Sequence, residues 1–156
     1  IAVSAPIDLG AAAQRMMAPR NLLYQGWLLK RMAAEATGGS ALVSDAERRA
    51  IASARTVYDF DNLFVAPRHG YTDAADYYQN CSAGDMLADI ETPALIIHAR
   101  NDPWIPQTAF ENIDDAELPN ISLALADSGG HVGFHGRNGQ TPWHNQCAFN
   151  YLSLFI

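Results

Sequence analysis

The sequence PALIIHARNDPW, residues 93–104, decides the fold class of this chain. It begins with a continuous apolar run, Ala94 to Ala99, which is typical of a parallel strand that is buried on both faces. A second run of this kind, ISLALA at residues 121–126, follows after a polar stretch that is long enough to hold a short helix. Strands that alternate with helical segments indicate an α/β fold with a parallel sheet.

Asp102 and His131 follow these two runs, near the carboxyl end of each predicted strand. In an open parallel sheet such ends lie at one edge, so we expect the two side chains to converge. A buried carboxylate there would accept the imidazole N–H, fix its tautomer and stabilise the imidazolium that forms when the ring takes a serine proton. The pattern predicts the acid and base of a Ser-His-Asp triad. Gly129 and Gly130 suit a tight turn before the histidine, because glycine permits positive φ and close backbone approach.

Structural interpretations exist for each of these residues. An Asp followed by Pro after a strand is often only a turn residue, and the nearest rival acid, Asp127, is expected to cap a turn. His98 lies inside an apolar run and is expected to be a satisfied core histidine. His131, His135 and His144 are close in sequence, but their spacing fits no zinc motif, so we predict neither a metal nor a cofactor.

The sequence lacks a nucleophile of the type that this acid and base would serve. On such a sheet the serine lies in a G-x-S-x-G elbow, which the 156 residues do not contain. Ser4 and Ser128 are not flanked in that way and are expected to be surface or turn serines. We therefore interpret the chain as the second half of an enzyme. Ile1 is not an initiator Met, which leaves open whether the native chain starts there.

Composition excludes several other classes of protein. A hydrophobic content of 49% is enough to fill a core, and a net charge of -7 with ten scattered Lys and Arg argues against a nucleic-acid partner. No apolar run approaches the roughly 20 residues that a membrane helix needs, and no signal peptide is recognised. Cys81 and Cys147 are isolated, which predicts reduced, partly buried thiols in a cytoplasmic protein.

Residues 10–91 have a helical pattern that is rich in Ala, Leu and Met. Pro19 separates one periodic stretch from the next, and the glycine pair at 38–39 is expected to end the second stretch. Ser44 and Glu47 predict a capping box at the start of a further helix. Four residues of the second stretch are expected to form an apolar stripe: Leu22, Leu23, Trp27 and Met32.

Three shorter elements complete the prediction. Residues 1–6 have the pattern of a strand that runs into a loop, and residues 71–80 that of a short helix. A final helix is expected to pack on the sheet through five residues at helical spacing: Trp143, Phe149, Tyr151, Leu152 and Phe155.

Several segments resemble the C-terminal portion of α/β-hydrolases, in the YheT-like branch of predicted esterases. VSAPIDL at 3–9 resembles the sixth core strand and its exit, PALIIHA with NDPW at 93–104 the seventh strand and acid loop, and GGHVGF at 129–134 the histidine loop. YDFDN at 58–62, APRHGY at 66–71 and the acidic and aromatic residues at 73–78 resemble the insert of this branch.

This resemblance implies a domain organisation and a function. Residues 1–9 and 92–156 would form the C-terminal part of the hydrolase core, and residues 10–91 a helical lid insert. The family's acid and base map onto Asp102 and His131, whereas its nucleophile elbow and oxyanion-hole loop have no counterpart here. The implied parent hydrolyses a small-molecule acyl ester through an acyl-serine intermediate, with the nucleophile in its upstream half. This chain alone is expected to be inactive.

Alternatives remain beside this interpretation. The chain could be a non-catalytic, hydrolase-like binding protein, or its parent could transfer acyl groups to alcohols or cleave thioesters. Strand edges left by a missing half-sheet predict self-association. His69 faces the site or anchors the insert, and His135 stands where an apolar residue is more usual. Trp27, Met16 and Met17 either line an acyl pocket or, as we favour for each, form ordinary lid core.

Overall fold

The computed structural model describes residues 1–38, 42–111, 113–114, 117–135 and 141–156. The chain divides into two compact units, Ile1–Asp8 with Ala83–Ile156, and Leu9–Ser82. The first unit contains a parallel sheet and the second is helical. The predicted α/β class is thereby confirmed, while the lid role of the helical unit stays a prediction.

The sheet has three parallel strands in the order β1 (Ala2–Val3), β2 (Ala94–Ala99) and β3 (Ile121–Ala126). The bounds of β2 and β3 coincide with the two apolar runs of the sequence. β2 is central and almost wholly buried, as predicted. β3 is only partly buried, contrary to expectation, because in the described part of the chain it is an edge strand.

The core of the sheet unit consists of Leu95, Ile97, Ala99 and Phe134. The final helix, α7 (Trp143–Leu152), packs on this core through Cys147 and Tyr151. The predicted terminal helix is therefore confirmed. Four of the five apolar residues expected to face the sheet are exposed instead, namely Trp143, Phe149, Leu152 and Phe155.

The helical unit contains α1 (Leu9–Met16), α2 (Leu22–Gly38), α3 (Asp45–Ser53), α4 (Val57–Phe60), α5 (Ala66–Arg68) and α6 (Ala74–Cys81). Pro19 starts a short 3-10 turn before α2, as its position predicts, and a π-helical turn, Asp61–Val65, joins α4 to α5. Gly39 lies outside the described residues. α6 begins three residues later than expected because the side chain of Asp73 caps it, accepting the N–H of Asp76 at 2.9 Å.

The predicted capping box at α3 is confirmed. The N–H of Glu47 donates to Oγ of Ser44 at 3.3 Å, and the N–H of Ser44 donates to the Glu47 carboxylate at 2.7 Å. Thr56 and Asp59 form a second box at α4, which the sequence pattern did not single out because Asp replaces the usual Glu or Gln.

The apolar stripe predicted on α2 is wrong for three of its four residues. Leu22, Leu23 and Trp27 are each more than half exposed. Trp27 is therefore not a core residue of the helical unit, contrary to expectation. Met17 is exposed too, so the expectation that it is a core residue is also wrong. The face that packs on Ile51, Phe60 and Phe64 consists of Leu29, Met32, Ala33 and Ala36. Apolar residues lie on several sides of α2, so helical periodicity alone does not select the buried side.

Candidate functional site

Asp102 and His131 form a direct hydrogen bond. Nδ1 of His131 lies 3.0 Å from Oδ2 of Asp102. The carboxylate side chain is 0% exposed and the imidazole 29% exposed. The structure thus brings together the two residues that the sequence pattern expected to converge, with the acid buried and the base partly open to solvent.

The second oxygen of Asp102 organises the turn that carries it. Oδ1 accepts the backbone N–H of Trp104 at 2.8 Å and that of Ile105 at 3.0 Å. The turn-residue interpretation and the acid interpretation are therefore compatible, because the turn uses Oδ1 and the acid role would use Oδ2. The two hydrogen bonds to Oδ1 also orient the carboxylate, so that Oδ2 faces Nδ1 of His131.

The pKa of Asp102 lies below its ordinary value. Burial alone would raise it, but the hydrogen bond with His131 and the backbone N–H groups of Ile105 and Trp104 together lower it by more. The group is therefore a carboxylate at neutral pH, the form that accepts an imidazole N–H.

Asn101 links the acid turn to the loop that carries the histidine. Its Oδ1 accepts the N–H groups of Gly129 at 3.0 Å and Gly130 at 2.9 Å. Gly130 has a φ of +59°, and a Cβ at Gly129 would overlap the ring of Phe134. The expectation of a glycine turn is met. The role of Asn101 was missed; its position directly before the acid is the only signal for it in the sequence.

Ser4 is neither a surface serine nor an ordinary turn serine, contrary to expectation. It directly follows β1, is 3% exposed and has a φ of +50°. Its Oγ accepts the N–H of Val132 at 3.2 Å. Nothing in the local sequence predicts this contact, because the two residues are 128 positions apart.

Aromatic packing surrounds the pair. The rings of Trp104 and His131 lie 4.5 Å apart between centroids. His98 is fully buried and stacks on Phe110 at 4.0 Å. His98 is therefore a core histidine, as predicted. Burial lowers the pKa of His98, and the charge of Asp102 opposes that shift.

The remaining candidates have exposed side chains. Asp127 lies 3.5 Å from Arg100 with its side chain fully exposed, and its expected role as a turn cap stays a prediction. Ser128, His135 and His69 are exposed.

Within the described residues, no three His, Cys, Asp or Glu side chains could hold a metal ion. None of the described helices is long and apolar enough to cross a bilayer.

A cavity of about 590 Å³ adjoins the histidine loop. Asn101, Phe134 and Trp143 contribute to its walls, and neither member of the hydrogen-bonded pair is among the described residues that line it. The cavity therefore does not define the place of a reacting group.

Comparison with known proteins identifies relatives along the whole chain. The chain is 37% identical over 142 residues to "Putative esterase YheT" of Escherichia coli, covering 87% of this chain and 41% of that protein. It is 30% identical over 161 residues to an "Abhydrolase domain-containing protein" of Dictyostelium discoideum, covering 100% and 40% respectively. A "Monoacylglycerol lipase" of Saccharomyces cerevisiae is 37% identical over 103 residues, covering 65% of this chain and 22% of that protein.

No family model and no solved structure matches the chain. It spans about two-fifths of the length of the first two relatives. The parallel sheet, the loops after its strands and these similarities agree with one another. The chain therefore belongs to the α/β-hydrolase fold family, corresponds to a C-terminal portion of that fold, and is similar to its YheT-like group.

Proposed function

We propose that the parent protein is a serine hydrolase of carboxylic esters, in which Asp102 is the acid and His131 the base. The observation that carries the proposal is the 3.0 Å bond between a wholly buried carboxylate and a partly exposed imidazole. Relatives named as an esterase and a monoacylglycerol lipase support ester chemistry over other reactions of this fold.

In the proposed reaction, Nε2 of His131 takes the proton of a serine hydroxyl as its oxygen attacks the ester carbonyl. Asp102 holds the Nδ1–H and stabilises the imidazolium. The imidazolium then gives its proton to the leaving alcohol, and an acyl-serine remains. Water attacks this ester with His131 again acting as base, and the acid product and free serine are released.

The serine and the oxyanion-hole donors belong, in this proposal, to a part of the parent that precedes residue 1. Support comes from the missing G-x-S-x-G motif and from the two-fifths coverage of the relatives. This chain alone would then lack the attacking atom and be inactive. In the described part of the chain, β1 and β3 each have one edge without a strand partner, so the isolated chain should self-associate, which size-exclusion chromatography measures.

We also propose that the helical unit, Leu9–Ser82, is a lid that supplies apolar walls for an acyl chain. Its place between β1 and β2 in the chain supports this, as do its exposed apolar side chains, above all Leu23 and Trp27. A Trp27→Ala substitution should then raise KM for long-chain esters while leaving KM for acetyl esters within about twofold. Equal effects on both substrates would argue against a lid.

The decisive experiment uses the full-length protein. Its hydrolysis of acyl esters and acyl thioesters of graded length is measured with and without acceptor alcohols, and its serine is labelled with a fluorophosphonate. We expect ester hydrolysis, with one labelled serine in a G-x-S-x-G motif upstream of residue 1.

The outcomes separate the alternatives. Products esterified to the acceptor alcohol would indicate acyl transfer, and turnover of thioesters alone would indicate a thioesterase. Absence of both turnover and labelling would favour the non-catalytic binding protein. His131→Gln should abolish turnover, whereas His135→Gln, at an exposed histidine of the neighbouring sequence, is the matched control and should not.

A further inference from the structure

We infer that Ser4 is a positioning residue for His131, an inference that rests on the function proposed above. Its buried Oγ accepts the N–H of Val132, the residue that directly follows the histidine, at 3.2 Å. The N–H of Ser4 in turn donates to the carbonyl of Ile97 in β2 at 2.8 Å. Ser4 thus ties the peptide after the base to the strand that leads into the acid.

The backbone at both ends of this bond is unusual. Ser4 has a φ of +50° and Val132 a φ of +60°, in the left-handed region that glycine favours. A β-branched side chain such as that of valine rarely adopts this conformation. Such a conformation persists only where the surrounding structure enforces it. The hydrogen bond from the N–H of Val132 to Oγ of Ser4 can hold this conformation next to the imidazole.

The bond completes a set of restraints around the histidine. Asn101 holds the two residues before it, Asp102 holds its ring, and Ser4 holds the residue after it. All three restraining groups follow the ends of β1 and β2. Loss of the Ser4 restraint should let the loop rotate, so that the imidazole spends less time in the 3.0 Å bond with Asp102.

The experiment compares Ser4→Ala with Ser4→Gly in the full-length protein. Both changes remove the Oγ acceptor, but glycine also relieves the left-handed backbone. We expect both variants to lower kcat about 5- to 20-fold with KM within about twofold, as loss of one hydrogen bond implies. Ser4→Gly should nevertheless unfold at a temperature no lower than Ser4→Ala. Ser122→Ala, at an exposed serine of β3, is the matched control and should keep the wild-type kcat.

A positioning role predicts a lowered kcat in Ser4→Gly even where its stability is kept, which a purely structural role would not produce. Wild-type kcat in a stable Ser4→Gly variant would overturn the inference. A fluorophosphonate adduct on Ser4 itself would overturn it as well, since Ser4 would then be the nucleophile. If His131→Gln and Asp102→Asn abolish turnover but the Ser4 variants keep the wild-type kcat, this inference alone fails; if those two variants remain fully active, the proposed function fails.

Discussion

Replacing Asp102 by Asn tests the proposed roles of Asp102 as the acid and His131 as the base, because it changes the group that faces Nδ1 of His131. The amide is nearly the same size as the carboxylate, and its oxygen can still accept the N–H groups of Trp104 and Ile105, which Oδ1 now accepts. The turn should therefore keep its shape. The group facing Nδ1 of His131 becomes an uncharged NH₂ donor, which favours the wrong imidazole tautomer and no longer stabilises the imidazolium.

The expected loss of activity follows from the geometry. At the observed 3.0 Å, with an effective dielectric constant of about 20, a carboxylate and an imidazolium attract each other by about 5 to 6 kcal/mol. At 1.36 kcal/mol per tenfold change in rate this corresponds to about 10⁴-fold. Because the imidazole is 29% exposed to solvent, screening reduces the effect, so we expect kcat to fall by about 10³- to 10⁴-fold.

The assay is steady-state ester hydrolysis by the full-length protein, with fluorophosphonate labelling as a second readout. Asp127→Asn is the matched control, because Asp127 lies four residues before His131 but is fully exposed and pairs only weakly with Arg100. It should change kcat by less than about twofold. A fall of less than tenfold in Asp102→Asn, with its fold intact, would refute the assignment of Asp102 as the acid.

Acid sensitivity gives the same substitution a second, independent readout. The folded-state pKa of Asp102 lies below the ordinary value of 3.8. Ionised Asp102 therefore contributes stability above about pH 4, which is lost as the pH falls through its lowered pKa. Urea unfolding between pH 5 and pH 2 should show a smaller loss of stability in Asp102→Asn than in the wild type. Parallel curves would contradict the lowered pKa.

Three further substitutions test a helix cap, a partly buried hydrogen bond and the glycine turn before His131. Ser44→Ala removes the cap of α3 and should cost about 1 kcal/mol of unfolding free energy in urea; no loss would mean that the capping box is not formed in solution. Tyr78→Phe removes the phenol that donates to Oδ2 of Asp61 at 2.6 Å. Because burial already raises the pKa of Asp61, this loss should cost about 1.5 to 3 kcal/mol, and Asp61→Asn in the same chain should recover part of it. Gly129→Ala places a Cβ against an aromatic ring of the histidine loop and should lower kcat more than tenfold, whereas Gly26→Ala, in open space, should not.

The parts of the fold that the sequence predicts well are those determined by local pattern. β2 and β3 were delimited to the residue, because each is a continuous apolar run with polar or proline boundaries. The capping box at α3 was predicted because Ser44 and Glu47 are only three residues apart. The buried side of α2 was not predicted, since an Ala- and Leu-rich helix offers more than one apolar side and only its partners decide which is covered.

The contacts of the site likewise include some that the sequence predicts and others that it does not. The convergence of Asp102 and His131 follows from a topological rule, that the carboxyl ends of parallel strands share one edge. The contacts of Asn101 and Ser4 do not follow from it, because they join residues 28 to 128 positions apart through particular atoms.

The positions of Ser4, Asp102 and His131 bear on where the proposed nucleophile lies. Ser4 after β1, Asp102 after β2 and His131 after β3 occupy one edge of the sheet, and their mutual bonds need no group outside this unit. The ring of His131 is held through Nδ1, and Trp104 packs against it. The imidazole side chain is 29% exposed, and in the proposed reaction the serine approaches this exposed part. Because Nδ1 is held by Asp102, the ring atom that the proposed serine addresses is Nε2.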